Sequence, residues 1–386
     1  MPNFELPPQM TEQVAEKEDK EILPSPERVE TAQYALTNFV KLRPEETVVI
    51  FQDKGTKPET AKILEEAAKK IGSSVQRIEI NRKTKKKEIN SALESSVIID
   101  LAPDSENKTG DVYDGIEESD SSRLVALLDL GPDAFDKNGP MSESPEDLQY
   151  RLDKMEQTLK DASGFKITSR YGTNLEMPLR LFKERRWHKD TGMIDEPGKW
   201  DNLPGGEIFT TPDERGVNGV LVLPVLESSV ANEQGVDEYV YVDIQNGKIS
   251  SIKGGASAEK LRKQLEADAL EEIKEGENPL GVYQIAEMAF GANSKARSAV
   301  ADPEQAYNHP AVSVVEAEKR LGTMHLAFGN AEHGEEGTEG FSQAASHHDF
   351  VIPRNGLTVE MFTNEGDFNN KKNGRKIISE GGLNFF

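Results

Sequence analysis

Residues 47–101 read TVVIFQDKGTKPETAKILEEAAKKIGSSVQRIEINRKTKKKEINSALESSVIIDL. Residues 47–51 are a short β-branched and aromatic run, which predicts a strand. Residues 58–71 predict an amphipathic helix that stops at Gly72. Residues 75–80 predict a second strand, 86–93 a helical stretch and 97–101 a third strand. Strands that alternate with helices need right-handed crossovers, so the expected fold here is α/β with a mostly parallel sheet. Outward from this stretch, Ser25 and Pro26 suit the N-cap and first position of a helix that runs to about Lys41. The Pro-rich, charged residues 1–25 are expected to form a loosely ordered arm. Residues 103–122 are polar and turn-rich, 124–130 predict a strand, 132–145 a loop and 145–162 a helix. After Ser163 the texture changes to short β-like pieces between Gly and Pro turns. The expected division is an α/β domain over residues 1–163 and an α+β domain over 164–386.

Composition narrows the function. The chain has 386 residues, formal net charge −23 and no cysteine. An acidic surface repels phosphate backbones, so nucleic acid is not an expected partner. No apolar run reaches the ~18–20 residues of a spanning helix, and the acidic N-terminus has no apolar h-region. A cytoplasmic address is therefore expected, with no membrane partner. Without cysteine, disulfides and thiolate ligands are excluded. No GxGxxG turn or GxxxxGK[ST] loop points to a nucleotide.

Chemistry is concentrated in the second domain. Of six histidines, His325, His333, His347 and His348 lie close together in the chain. In Ser346-His347-His348-Asp349-Phe350, strand alternation puts His347 and Asp349 on one face and turns His348 away. Alone, this could be a solvated strand end. His325 interrupts an apolar strand between Gly322 and Gly329, where a satisfied core histidine is the plainer reading, and Glu318 lies nearby. Glu207 follows Pro204-Gly205-Gly206 and opens an apolar strand. Glu287 stands alone in Ile285-Ala-Glu287-Met-Ala-Phe290. Buried carboxylates need a cation or a donor, and an arginine would serve as well as a metal. Together these residues offer carboxylates and imidazoles without thiolate, a set suited to zinc, cobalt or manganese. Carboxylate-rich sites of this kind fit paired ions that activate a bridging water.

In their order, Asn202-Leu-Pro-Gly-Gly-Glu207-Ile-Phe, Ala286-Glu287-Met-Ala-Phe-Gly, Glu318-Lys-Arg-Leu-Gly-Thr-Met-His325 and His347-His-Asp349 resemble the aminopeptidase T and S family, metallopeptidases with two co-catalytic metals. The resemblance covers roughly residues 166–362. It implies that Glu207, Glu287, Glu318, His325, His347 and Asp349 are metal ligands, with Glu287 or Glu207 bridging the ions or acting as general base. It also implies peptide substrates cleaved from the N-terminus by metal-activated water, and a homodimer. One departure is evident. The family has a tyrosine shortly after the histidine, whereas this chain has Glu332 and His333 there and no tyrosine after Tyr307. That departure keeps open a non-catalytic metal-binding homologue. Another metal-dependent amidohydrolase is a further alternative.

Overall fold

The computed structural model describes residues 23–81, 83–102, 109–179, 185–224, 239–298, 312–331 and 340–385. The expected N-terminal arm lies almost wholly outside the described residues, as do Glu332 and His333. In chain order the first elements are α1 (Pro26–Asn38), β1 (Thr47–Gln52), α2 (Pro58–Ile71), β2 (Ser74–Glu79), α3 (Lys86–Asn90), β3 (Val97–Asp100), α4 (Gly110–Glu117), β4 (Arg123–Ala126) and α5 (Pro145–Leu159). Then come β5 (Gly164–Ser169), β6 (Asn174–Pro178), β7 (His188–Asp190), β8 (Trp200–Asn202), β9 (Glu207–Thr210), β10 (Asn218–Leu223), β11 (Val240–Gln245), β12 (Lys248–Lys253) and α6 (Ala256–Glu275). The last are β13 (Ile285–Gly291), α7 (Val314–Lys319), β14 (Met324–Gly329), β15 (His347–Ile352), β16 (Leu357–Phe362), α8 (Glu365–Asn370), β17 (Arg375–Ser379) and β18 (Gly382–Leu383).

The first sheet has the order β2-β1-β3-β4-β8 and every pairing in it is parallel. The central strands β3 and β4 are buried along their whole length, while the edge strand β2 is mostly exposed. Helices on both faces explain the continuous apolar runs of the centre. Residues 200–202 come back to this sheet from well beyond α5, beside β4. The rest is antiparallel. An eight-stranded sheet runs β12-β11-β10-β6-β5-β16-β17-β18, and a five-stranded sheet runs β15-β14-β13-β9-β7. The fold is thus α/β with a parallel sheet, joined to antiparallel α+β structure.

Two local expectations are corrected. Ser25 sits at the N-cap position of α1 but its side chain makes no capping hydrogen bond, and Pro26 alone marks the start. Part of the stretch read as polar and turn-rich, residues 110–117, is helix α4. Its Val112 and Ile116 are one turn apart and pack into the core above β1, β3 and β4. Two apolar residues among acidic ones were too weak a period to stand out, and burial against the sheet decides the helix. By contrast α5 is capped as its sequence asks, with the Ser144 side chain accepting from the Asp147 N–H. Its Leu148, Leu152, Met155 and Leu159 enter the same core as Met288 and Phe290 of β13. Each such side chain contributes about 1.5–3 kcal/mol of burial.

Candidate metal centre

Alternation along the five-stranded sheet sorts its side chains into two faces. Ile208, Met288, Phe290, Leu326, Phe328, Phe350 and Ile352 point into the main core. The opposite face carries Asp190, Glu207, Glu287, His325, His347 and Asp349. Pairing fixes their relative heights: Asp190 lies opposite Glu207, Glu207 opposite Gly291, Glu287 opposite Ala327, and Ala327 opposite Asp349. The small residues Ala289, Ala327 and Gly291 between them leave room for the polar groups to converge.

Tight backbone contacts set this geometry. A Cβ at Gly205 would lie 2.3 Å from the Gly192 nitrogen, so the turn before β9 runs directly against the end of β7. A Cβ at Gly291 would lie 2.1 Å from the Arg320 carbonyl and 2.6 Å from that of Glu318. That glycine lets the end of α7 lie flat on β13, where the Asn293 N–H donates to the Lys319 carbonyl at 2.8 Å. Glu318 and Lys319 reach the site this way.

All six residues singled out from the sequence come together. Three overlapping groups, Glu207–Glu287–His325, Glu287–His347–Asp349 and Glu318–His325–Asp349, each bring one ligand atom per residue within 4.8 Å of the others. His325 Nε2 stands 3.1 Å from Glu287 Oε1, 3.4 Å from Glu207 Oε2 and 3.8 Å from Asp349 Oδ1. His347 Nε2 stands 3.4 Å from Asp349 Oδ1 and 4.0 Å from Glu287 Oε2. The other nitrogen of His347, Nδ1, is 2.9 Å from the Asn330 carbonyl, an arrangement that aims Nε2 at the cluster. His348 points to the opposite face and meets Asp268 of α6 at 2.6 Å.

Sequence reading missed three members of this network. Lys319 is buried and its Nζ lies 2.5 Å from Glu207 Oε1, 3.1 Å from Asp190 Oδ2 and 3.1 Å from Glu318 Oε1. Asp201, beside Asp190, completes it. Burial, then the charge of Asp190, push the Asp201 carboxyl well above its ordinary range, with Lys319 opposing. Asp190 could have been found from its alternation with His188 on a short strand. Nothing in the sequence marks Lys319 as buried.

Electrostatics follow from the crowding. Burial works to lower the His325 pKa, but Glu207, Glu287, Glu318 and Asp349 outweigh it and push it up to about 9. His347 is likewise pushed up to about 10 against burial, by Asp349 and Glu287. Burial raises Glu318 to about 8, with Lys319 opposing. Among the buried side-chain atoms, Glu207 Oε2 and Glu318 Oε2 have no hydrogen-bond partner. Unsatisfied buried carboxylate oxygens beside imidazoles are what a metal centre leaves in a ligand-free chain. Ligand atoms about 2.1 Å from one ion stand roughly 3.0–3.4 Å apart, close to the spacing of the two Nε2 atoms and their nearest carboxylate oxygens. The residues therefore fit a divalent metal.

The fold is α/β of the aminopeptidase T type in shape and carries a candidate metal centre, and sequence comparison supplies the family. A family model described as NicX, 2,5-dihydroxypyridine 5,6-dioxygenase, matches residues 131–361, more than half of the chain. This chain belongs to that family. The 2,5-dihydroxypyridine 5,6-dioxygenase of Pseudomonas putida KT2440 is 31% identical over 152 residues, which are 39% of this chain and 40% of that protein. The aligned region thus spans two-fifths of that relative's length. In shape, the structure of the 2,5-dihydroxypyridine dioxygenase from Pseudomonas putida KT2440 is similar over 94% of this chain and 98% of that one, with a TM-score of 0.62 and 18% identity. Wild-type AmpT from Thermus thermophilus is similar over 92% and 98%, with a TM-score of 0.60 and 14% identity. At those identities the two structures speak for the fold alone.

These findings overturn the aminopeptidase reading. The resemblance to aminopeptidase T holds for the fold, but the family is one of dioxygenases, which are oxidoreductases and not peptide hydrolases. The error has a physical source. Imidazole and carboxylate donors on a shared fold serve either chemistry, and fold does not fix function. Among the described residues no helix is long and apolar enough to cross a membrane.

Proposed function

We propose that the chain is a metal-dependent dioxygenase that opens the ring of a dihydroxylated pyridine, with iron(II) held by His325, His347, Asp349 and Glu287. The observation that carries this is a pair of imidazoles beside carboxylates on one sheet face, His325 Nε2 3.1 Å from Glu287 Oε1 and His347 Nε2 3.4 Å from Asp349 Oδ1, in a chain of this family. Two histidines and a carboxylate on one side of an ion, with positions left open, are the donor set of non-haem iron(II) oxygenases. Of the ions expected from the donor types alone, zinc has a filled d shell and no redox role to offer there.

When bound, iron(II) supplies the one-electron steps that let ground-state dioxygen react with a closed-shell ring. The chain's own residues do the rest. His347, held through Nδ1 at Asn330, keeps its place on the open side of the cluster. Glu318, which burial raises to about 8 in the metal-free chain, is the carboxyl here best suited to take a proton from a substrate hydroxyl. Overall, the C5–C6 bond breaks and both oxygen atoms enter the product. The ring carbons are oxidised, dioxygen is reduced, and no outside reductant is consumed.

Protein loaded with iron(II) under exclusion of air, then given 2,5-dihydroxypyridine and dioxygen, should consume one dioxygen per ring and place both atoms of ¹⁸O₂ in the product. Fully loaded, folded protein that consumes neither would refute the proposal.

Metal affinity should also depend on pH. In the metal-free chain His325 and His347 titrate at about 9 and about 10, so both carry protons at neutrality and must lose them to bind an ion. Affinity should rise with pH below those values, by about tenfold per unit for each proton released. Competition against a chelator between pH 6 and 8 reads this directly; a flat profile counts against both imidazoles as ligands.

A further inference from the structure

We infer that Glu272 of α6 is a positioning residue for His347, acting through the main chain at Ala345. This rests on the metal reading above. His347 is the first residue of β15, and β15 is the edge strand of its sheet, beside β14. The ladder ends there on the pair of His347 with Gly329, and strand ends are where a fold opens most readily. Main-chain contacts hold the chain ahead of that pair. The Asn330 N–H donates to the Ser346 carbonyl at 2.8 Å, and the Ala345 N–H donates to Glu272 Oε1 at 2.6 Å.

A crevice of about 320 Å³ opens beside this contact, bounded by Glu272, Glu275, Asn330, Gln343 and Ala345. Gln343 and Ala345 are exposed, so packing does little for the segment and hydrogen bonds set its path. Glu272 itself is 2% exposed, and burying a carboxylate costs free energy unless it gains a strong donor. A short bond from a backbone N–H to a carboxylate is charge-assisted and supplies that. One turn earlier on the same face of α6, Asp268 meets His348. That contact ends on a side chain turned away from the site. Glu272 instead holds the main chain two residues before His347, and so fixes the direction in which the ring leaves the strand. Asn330 then receives Nδ1, and Nε2 faces Asp349 and Glu287.

The test uses cobalt(II) as the probe on the full-length chain, with affinity read by chelator competition and ligand geometry by the visible absorption bands. Glu272→Leu removes the acceptor and should weaken binding by about 10–100-fold, the cost of losing support for a ligand, with altered bands. Glu272→Gln keeps an acceptor oxygen and should keep the wild-type affinity and bands. Ala345→Pro removes the N–H from the other side of the bond and should match the leucine variant. The two changes together should cost no more than either alone, because they break one contact. A folded leucine or proline variant with wild-type affinity and bands would overturn the inference, even if it melts earlier. A glutamine variant as weak as the leucine one would overturn it too, since the charge and not the bond would then act. If the leucine variant does not fold, the proline and glutamine variants decide. Wild type that binds no cobalt would remove the metal reading and the inference with it.

Discussion

Replacing His347 by alanine should lower iron affinity by more than about 100-fold and remove turnover, while the fold persists. Changing residues that only support metal ligands costs 10–100-fold, and loss of a ligand exceeds that. The ring at 347 supplies one of two imidazoles in a centre otherwise made of carboxylates. Its removal also leaves Asp349 and Glu287 facing each other with less positive charge between them. The fold should tolerate the change because His347 lies at the start of β15 and about a third of its side chain is open to solvent. The neighbouring His348→Ala is the matched control. Its ring faces Asp268 on the other side of the sheet, so it should keep iron content and turnover and lose only about 1.5–3 kcal/mol of a charge-assisted contact. Iron per chain after passage over a chelating resin, with dioxygen uptake, distinguishes the two variants. Equal iron content in both would refute the assignment of His347.

That contrast was readable in the sequence because it needs only strand alternation over three residues. The same alternation turns Met324, Leu326 and Phe328 to the core and His325 to the site, although a satisfied core histidine was the plainer reading of that strand. Strand–helix rhythm gave the parallel sheet for a similar reason, since local periods of two and 3.6 residues survive in one dimension. Other features did not survive there. Residues 200–202 join the first sheet from far along the chain, and only the fold makes that pairing. Lys319 follows Glu318 in a charged hexapeptide that would suit any surface helix. Its burial is set by the close approach of α7 to Gly291, a tertiary event. The residues that converge were legible, but the buried lysine beside them was not, and donor types alone could not separate hydrolysis from oxygenation.

The position of α7 also rests on a buried ion pair, and breaking it should have the largest effect on stability. Glu316 Oε1 accepts from the backbone N–H of Arg297 at 2.9 Å and from its Nε at 2.6 Å, while Oε2 accepts from Nη2 at 2.8 Å. Arg297 Nη1 reaches Asp133 at 3.0 Å. Both partners of the main pair are nearly sealed from solvent, at 8% and 2% exposure. Glu316→Ala takes from the guanidinium its most buried carboxylate partner and leaves a vacant space beside it. Removing one partner of a buried pair costs about 3–5 kcal/mol, which in a chain of this size is a fall in Tm on the order of 5 °C. The double change Arg297→Met with Glu316→Leu should recover most of that loss, because apolar groups of similar volume need no partner. Thermal melts of the metal-free single and double variants check both statements. Metal binding supplies a second reading, since Glu318 and Lys319 ride on the same helix. A single variant that melts as the wild type does would show that α7 is held by its contact with β13 and not by this pair.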